Sequence, residues 1–168
     1  GDFAVKKYGR YGLIGIVILT AQIALGGWTS SNYAALTCTE LPICQSGWVE
    51  RLTFEDSFDP IPPEKATYEH GHLGHNERLT IHVVHRFGAM LTFLYLGWLA
   101  MMVYIKSQTV FFKKSASIMA FILVLQVSLG ISNIWFSLPL FIAVSHNIVA
   151  AFLMLSLIAL TYSLRRKI

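Results

Sequence analysis

Histidine is the side chain of this sequence best suited to binding a metal or moving a proton near neutral pH. The chain has six histidines: His70, His72, His75, His82, His85 and His146. His82 and His85 are three residues apart, so on a helix they share one face. His146 lies alone in a 50-residue stretch, 115–164, that contains no Asp, Glu, Lys or Arg. An imidazole in such surroundings is costly and therefore indicates a functional site.

The elements that position these histidines follow from the apolar stretches. Residues 11–39, 87–105 and 115–164 contain no charged side chain. A bilayer core about 30 Å thick needs about 20 apolar residues as helix, so the first two stretches hold one span each and the third holds two. Polar residues from Ser132 to Pro139 mark the break in the third. The sequence predicts an all-α, polytopic membrane four-helix bundle, a single domain over 1–168, with spans at about 11–30, 79–104, 116–135 and 140–163.

Composition agrees with a membrane protein and excludes other classes. Of 168 residues, 55% are hydrophobic and only 13% are charged, about half the charged share of a soluble domain, and the mean hydropathy is +0.57. Disordered and collagenous chains are excluded. The net charge of +4 does not indicate a nucleic-acid partner, because the basic residues form short clusters between apolar runs and not one exposed basic face.

Charge also predicts the orientation. Basic clusters precede span one, separate spans two and three, and follow span four: Lys6, Lys7, Arg10, Lys106, Lys113, Lys114, Arg165, Arg166 and Lys167. The connection from Glu40 to Arg78 carries a net charge of −5. Since short cytoplasmic loops retain Lys and Arg, both termini are expected in the cytoplasm and the acidic loop, about 31–78, outside it.

The outer loop holds both cysteines and half of the histidines. Cys38 and Cys44 enclose five residues on the face expected to be oxidising, which favours an intrachain disulfide. Free thiols or a metal pair are the alternatives, and a metal would need two further ligands that the neighbourhood does not offer. For the loop histidines, His70, His72 and His75, a solvated loop is favoured over a metal site.

The spans form two similar hairpins. Gln22-Ile-Ala-Leu-Gly26 in span one matches Gln126-Val-Ser-Leu-Gly130 in span three, and His85 in span two aligns with His146 in span four. This pattern predicts a duplicated helical hairpin with a pseudo-twofold axis along the membrane normal. Chance likeness between two Leu-rich helices is the alternative.

Two imidazoles at matched depth on facing helices can hold a haem iron from both sides. Ala89 and Ala150 lie one turn deeper than the histidines, with Gly88 beside the first, and small side chains there leave room for a flat macrocycle. The alternative is that these residues only permit close helix packing while His85 and His146 form hydrogen bonds between helices.

Four further polar residues are candidates for the same site. His82 could be an alternative ligand, a propionate partner, a proton relay or a plain interfacial histidine. Arg86 could bind a haem propionate or extend to a lipid headgroup. Gln22 and Gln126 could line a cofactor cavity or form interhelical hydrogen bonds.

Taken together, several motifs resemble the haem A synthase family, proteobacterial type. They are the segment from Leu25 to Cys38, the Cys38–Cys44 loop with Leu-Pro inside it, His82-Val-Val-His85-Arg86, and Leu138-Pro-Leu followed by Ala-Val-x-His146-Asn. Family members have eight spans in two similar halves, and this chain is similar to the carboxy-terminal half along nearly its whole length.

The resemblance implies that His85 and His146 ligate a haem b and that Cys38 and Cys44 form a disulfide. It implies a multi-pass protein of the bacterial inner membrane with a periplasmic acidic loop, serving the oxidation of the haem O C8 methyl to the formyl of haem A for cytochrome oxidase assembly. The family's other half carries a catalytic glutamate in Glu-x-x-His-Arg. His82 holds that place here, and Glu77 is eight residues from His85 and not equivalent.

The chain is therefore expected to hold a low-spin haem and to exchange electrons, with the substrate haem O bound elsewhere. The expected partners are an amino-terminal catalytic half or a second copy of the chain, and an electron-transfer partner. The alternatives are a stand-alone membrane module that binds or transfers haem, and a cytochrome b-type electron carrier, neither with oxygenase chemistry.

Overall fold

A computed structural model describes residues 2–69 and 71–166. His70 and Lys167, which the sequence analysis names, lie outside the described residues. The α-helices are α1 (Phe3–Lys6), α2 (Tyr8–Ser31), α3 (His75–Lys106), α4 (Val110–Trp135) and α5 (Leu140–Arg165), with one 3-10 turn at Val49–Arg51. The described residues form no strand, which confirms the prediction of an all-α chain with four long helices.

The four long helices form a closed ring, and each is long and apolar enough to cross a bilayer. In the described part of the chain, α2 packs on α3 and α5, and α4 packs on the same two helices, whereas the main chains of α2 and α4, like those of α3 and α5, do not come close to one another. Helices α3 and α5 are therefore diagonally opposite. This is the arrangement expected of two antiparallel hairpins, α2–α3 and α4–α5, related by a pseudo-twofold axis.

The helices contain the stretches that the sequence predicted, with differences at their ends. Helix α3 begins at His75 and α4 at Val110, earlier than expected, because each helix continues through a charged pair next to its apolar stretch, Glu77 and Arg78 in α3 and Lys113 and Lys114 in α4. Ser132 and Asn133, expected in the break, are helical. The break lies at 136–139, where Ser137 and Leu138 adopt positive φ angles of 58° and 61°.

The two ends of the bundle differ in packing. At the end that carries the basic clusters, a continuous core of large apolar side chains fills the centre, including Leu96, Leu99, Val103, Met119 and Leu157. At the other end, the long loop packs a smaller cluster onto α3, formed by Cys38, Cys44, Leu79 and Val83. The centre of the bundle near His85 and His146 has no such apolar cluster among the described residues.

Asp2 fixes the connection between α3 and α4. Its carboxylate accepts hydrogen bonds from the Ser107 hydroxyl and from the main-chain nitrogens of Gln108 (2.8 Å) and Thr109 (3.2 Å). The bond from Ser107 is the largest cause that lowers the pKa of Asp2 below its ordinary value, while burial acts in the opposite direction. A carboxylate next to the first turn of α4 also complements the helix dipole.

Glycines allow α2 to approach its neighbours closely. A Cβ atom added at Gly12 would overlap the Thr161 side chain of α5, and one added at Gly15 would lie 3.0 Å from Leu96 of α3. At Gly27, in contrast, no atom of another part of the chain lies within 4 Å of the corresponding position. Close packing of the first half of α2 thus depends on Gly12 and Gly15.

We expect Gly12→Ala to destabilise the protein by about 1–3 kcal/mol, because the added methyl group forces the Thr161 side chain to move. Gly27→Ala is the matched control on the same helix; it should be neutral or stabilising by up to about 1 kcal/mol through helix propensity. The free energy of unfolding in mixed detergent micelles measures both. Equal stability of the two variants would contradict the close packing of Gly12 against Thr161.

Candidate functional site

His85 is held between its own helix and α2. The side-chain nitrogen of Gln22 lies 3.1 Å from Nδ1 of His85 and donates to the main-chain oxygen of His85 at 2.9 Å. A Cβ added at Gly26, one turn further along α2, would lie 3.3 Å from the imidazole Cε1. The absence of a side chain at Gly26 therefore creates the space in which the His85 ring lies against α2.

His146 has the equivalent surroundings between α5 and α4. Its Nδ1 lies 3.2 Å from the main-chain oxygen of Gln126. A Cβ at Gly130 would lie 3.1 Å from the His146 Cε1 and 3.8 Å from each ring nitrogen. The glutamine and the glycine of each Gln-x-x-Leu-Gly segment thus contact the histidine of the following helix, once in each hairpin.

In both imidazoles the Nε2 atom is the one available to a ligand. Neither Nε2 atom forms a hydrogen bond with any described residue. The helices that carry His85 and His146 are diagonally opposite in the ring of four helices. Two Nε2 atoms from opposite helices, each with its ring fixed through Nδ1, form a donor set suited to the two axial positions of a haem iron.

Buried polar atoms without partners also lie at this depth. The side-chain oxygens of Gln22 and Gln126 are buried and have no hydrogen-bond partner among the described residues. Such atoms are costly in an apolar medium unless a ligand or a change of conformation satisfies them. Their matched positions next to the two histidines agree with a site that a polar-edged cofactor completes.

Gly88 lies against the side chain of Gln22. A Cβ at Gly88 would overlap the side-chain oxygen of Gln22 and lie 3.4 Å from Leu25 Cδ1. Gly88 therefore makes room for the Gln22 carboxamide. Ala89 and Ala150, the other small residues expected near a macrocycle, are half-buried.

His82 and Arg86 connect α3 to the acidic loop. His82 is buried, with Nδ1 3.0 Å from the Ala34 carbonyl oxygen and Nε2 2.9 Å from the Arg86 guanidinium. Because both ring nitrogens of His82 are occupied, the anchoring of the loop explains this histidine without a ligand. Among the described residues, no hydrogen bond joins His82 to His85 or His146.

Arg86 makes most of its contacts with the main chain of the cysteine loop. It donates to the carbonyl oxygens of Glu40 (2.9 Å), Pro42 (3.1 Å) and Cys38 (3.1 Å). Within the described part of the chain, only its Nε–H is left for a further acceptor such as a propionate or a headgroup oxygen. The guanidinium thus fixes the position of this loop on α3.

Cys38 and Cys44 lie side by side in that loop, with Cα atoms 5.2 Å apart and sulfur atoms at bonding distance. Between the loop and the outward face of α3 lies an apolar cavity of about 200 Å³, with Cys44, Trp48, Phe87 and Met90 in its wall. This cavity is separate from the histidine pair.

The loop histidines do not form a cluster in the described residues. His75 is exposed at the start of α3, and the main-chain oxygen of His72 accepts a hydrogen bond from Lys65. Residues 2–69 and 71–166 contain no group of three or more His, Cys, Asp or Glu side chains that could hold a metal ion. A bis-histidine haem site needs only two protein ligands and so is not excluded by that finding.

Sequence reasoning did not identify Gly26 and Gly130 as site residues. Both end the repeated Gln-x-x-Leu-Gly segment, so the repeat itself was the signal that could have identified them. Their role became visible only when the structure placed an imidazole against each.

The fold and the site define a multi-pass membrane four-helix bundle in which two related hairpins each present one histidine. Residues 2–158 match the COX15-CtaA family, described as cytochrome oxidase assembly protein, and the chain belongs to this family. It is 44% identical over 166 residues to the heme A synthase of Shewanella oneidensis. The matched region is 99% of this chain and 49% of that protein. The chain thus spans about half the length of this curated relative. No solved structure matches it.

We expect Arg86→Lys to loosen the cysteine loop, because a lysine cannot reproduce the three contacts with loop carbonyl oxygens. Hydrogen bonds of charged groups contribute about 1.5–3 kcal/mol each, so dithiothreitol should reduce the Cys38–Cys44 pair about tenfold faster or more. Arg51→Lys is the control, since Arg51 is exposed and donates to one carbonyl, that of Ser46. Equal reduction rates in the wild type and Arg86→Lys would contradict the anchoring role.

Proposed function

We propose that this chain is the haem-binding half of a haem A synthase, in which His85 and His146 hold one haem b through their Nε2 atoms. The observation that carries the proposal is the matched environment of the two histidines. Each ring lies over the glycine of a Gln-x-x-Leu-Gly segment and leaves Nε2 without a partner in the described residues. The family supports a role in haem A biosynthesis and oxidase assembly.

The proposed role of the site is electron exchange. A haem held by His85 and His146 would supply one-electron transfer at this site rather than oxygen activation. The residues of this chain fix the two rings through Nδ1 and keep apolar helices around them, which limits access of water. The reaction served would be the oxidation of the haem O C8 methyl group to the formyl group of haem A.

The conversion of the substrate haem O is proposed to take place outside this chain. The family's glutamate position is occupied here by His82, whose ring nitrogens are both occupied, so no free acid or base is present one turn before His85. A further four-helix half, or a second copy of this chain, would supply the substrate pocket. The length of the Shewanella protein, about twice the matched region, supports the further half.

The proposed orientation puts the basic end of the bundle in the cytoplasm and the acidic loop in the periplasm of the inner membrane. The structure supports it by placing Asp2, Ser107 and Thr109 together at one end and the Cys38 loop at the other. Because the periplasm is oxidising, we also propose that Cys38 and Cys44 form a disulfide in the cell.

The reduced, detergent-purified protein loaded with haem b should show the sharp alpha and beta absorption bands of a low-spin haem. His85→Ala or His146→Ala should abolish these bands, because each removes one axial ligand. His75→Ala, which changes an exposed histidine at the end of α3, should leave them unchanged. A wild-type chain that takes up no haem, or Ala variants that keep the low-spin bands, would overturn the proposed ligands.

Incubated with haem O, oxygen and a reductant, the purified chain alone should form no haem A, since it lacks the proposed substrate half. Co-expression with an amino-terminal half that contains Glu-x-x-His-Arg should give the formyl product, detected by the pyridine haemochrome spectrum and by mass spectrometry. Formation of haem A by the isolated chain would contradict the division of labour proposed here.

A further inference from the structure

The two proposed ligands differ in what their Nδ1 atoms bind. Nδ1 of His85 faces the side-chain nitrogen of Gln22, a group that can only donate. Nδ1 of His146 faces the main-chain oxygen of Gln126, a group that can only accept. This difference breaks the symmetry between the two hairpins.

The partners determine the tautomer of each imidazole. A neutral imidazole carries one proton, on the nitrogen that donates. His146 therefore carries its proton on Nδ1 and has a free lone pair on Nε2, the form that binds a metal. His85 accepts at Nδ1 and carries its proton on Nε2, so in this form its Nε2 cannot bind a metal.

The main chain explains why Gln22 presents its nitrogen. The same nitrogen donates to the carbonyl oxygen of His85 at 2.9 Å, and the side-chain oxygen would be repelled at that position. The side-chain oxygen of Gln22 instead points at Gly88, buried and without a partner in the described residues. The side-chain oxygen of Gln22 is thus an acceptor that is not used in the metal-free protein.

We propose that Gln22 is a positioning residue that makes His85 and His146 unequal ligands, an inference that rests on the haem site proposed above. For His85 to bind iron, its proton must move from Nε2 to Nδ1. The Gln22 side chain must also give up its hydrogen bond to the His85 main-chain oxygen and move away from that atom, so that its own oxygen can accept the hydrogen bond from Nδ1. His146 needs no such change. His146 therefore already has the tautomer that binds iron, whereas the binding of His85 depends on Gln22.

Nitrogen NMR of the metal-free protein tests the tautomers directly. With histidine labelled by ¹⁵N, and signals assigned by His85→Ala and His146→Ala, His85 should show the Nε2–H form and His146 the Nδ1–H form. In the reduced haem-bound protein, which is diamagnetic when low-spin, both should show Nδ1–H. An Nδ1–H form of His85 in the metal-free wild type would overturn the proposal.

Two neutral variants at matched positions separate Gln22 from its repeat partner. In Gln22→Leu, the Nδ1–H of iron-bound His85 loses its acceptor, which lowers the basicity of the ligand and weakens the ferric state relative to the ferrous state. We expect about a tenfold change in that ratio, a rise of about 59 mV in the midpoint potential. Gln126→Leu should shift the potential by less than Gln22→Leu, because the acceptor of His146 is a main-chain oxygen that the substitution leaves in place.

The ligand variants give an independent measurement. His85→Ala should retain a five-coordinate haem that binds carbon monoxide when reduced, whereas His146→Ala should lose most of its haem during purification. Equal haem retention in these two variants would overturn the proposal that His85 and His146 are unequal ligands. Equal potential shifts in Gln22→Leu and Gln126→Leu would do the same, and neither result would contradict the bis-histidine site itself. Failure of the wild type to bind haem would instead overturn the proposed function.

Discussion

The fit of each imidazole against a glycine of the neighbouring helix is the contact on which the rest of this site depends. Gly26 under His85 and Gly130 under His146 leave 3.3 Å and 3.1 Å to the positions that a methyl carbon would occupy. Because no side chain intervenes, the ring nitrogens can reach polar groups of the adjacent helix. In a membrane, where water does not satisfy polar groups, such contacts make a buried histidine tolerable.

The two ends of the bundle hold the helices around this contact in different ways. At the end that carries the basic clusters, large apolar side chains and the close approach of Gly12 and Thr161 fix the helices relative to one another. At the end that carries the acidic loop, His82 and Arg86 fix the cysteine loop on α3. The histidine pair lies between these two regions, so its geometry follows from rigid packing on one side and from polar anchoring on the other.

Much of the fold followed from sequence, because membrane helices are defined by long apolar runs and short polar interruptions. The repeated Gln-x-x-Leu-Gly segment and the aligned histidines predicted that α3 and α5 face each other across the bundle, because two similar hairpins related by a twofold axis place their second helices opposite one another. The partners of Arg86 could not be predicted, because they are main-chain oxygens whose positions depend on the fold of an irregular loop. Likewise, the difference between Gln22 and Gln126 depends on side-chain rotation, which two identical residue types do not reveal.

The central claim is that one chain holds one haem between His85 and His146. Electron paramagnetic resonance during titration of the purified protein with ferric haem b tests it most directly. The account predicts a low-spin signal typical of two imidazole ligands that grows to one haem per chain and then stops. A high-spin signal, or a low-spin signal that saturates at one haem per two chains, would contradict it.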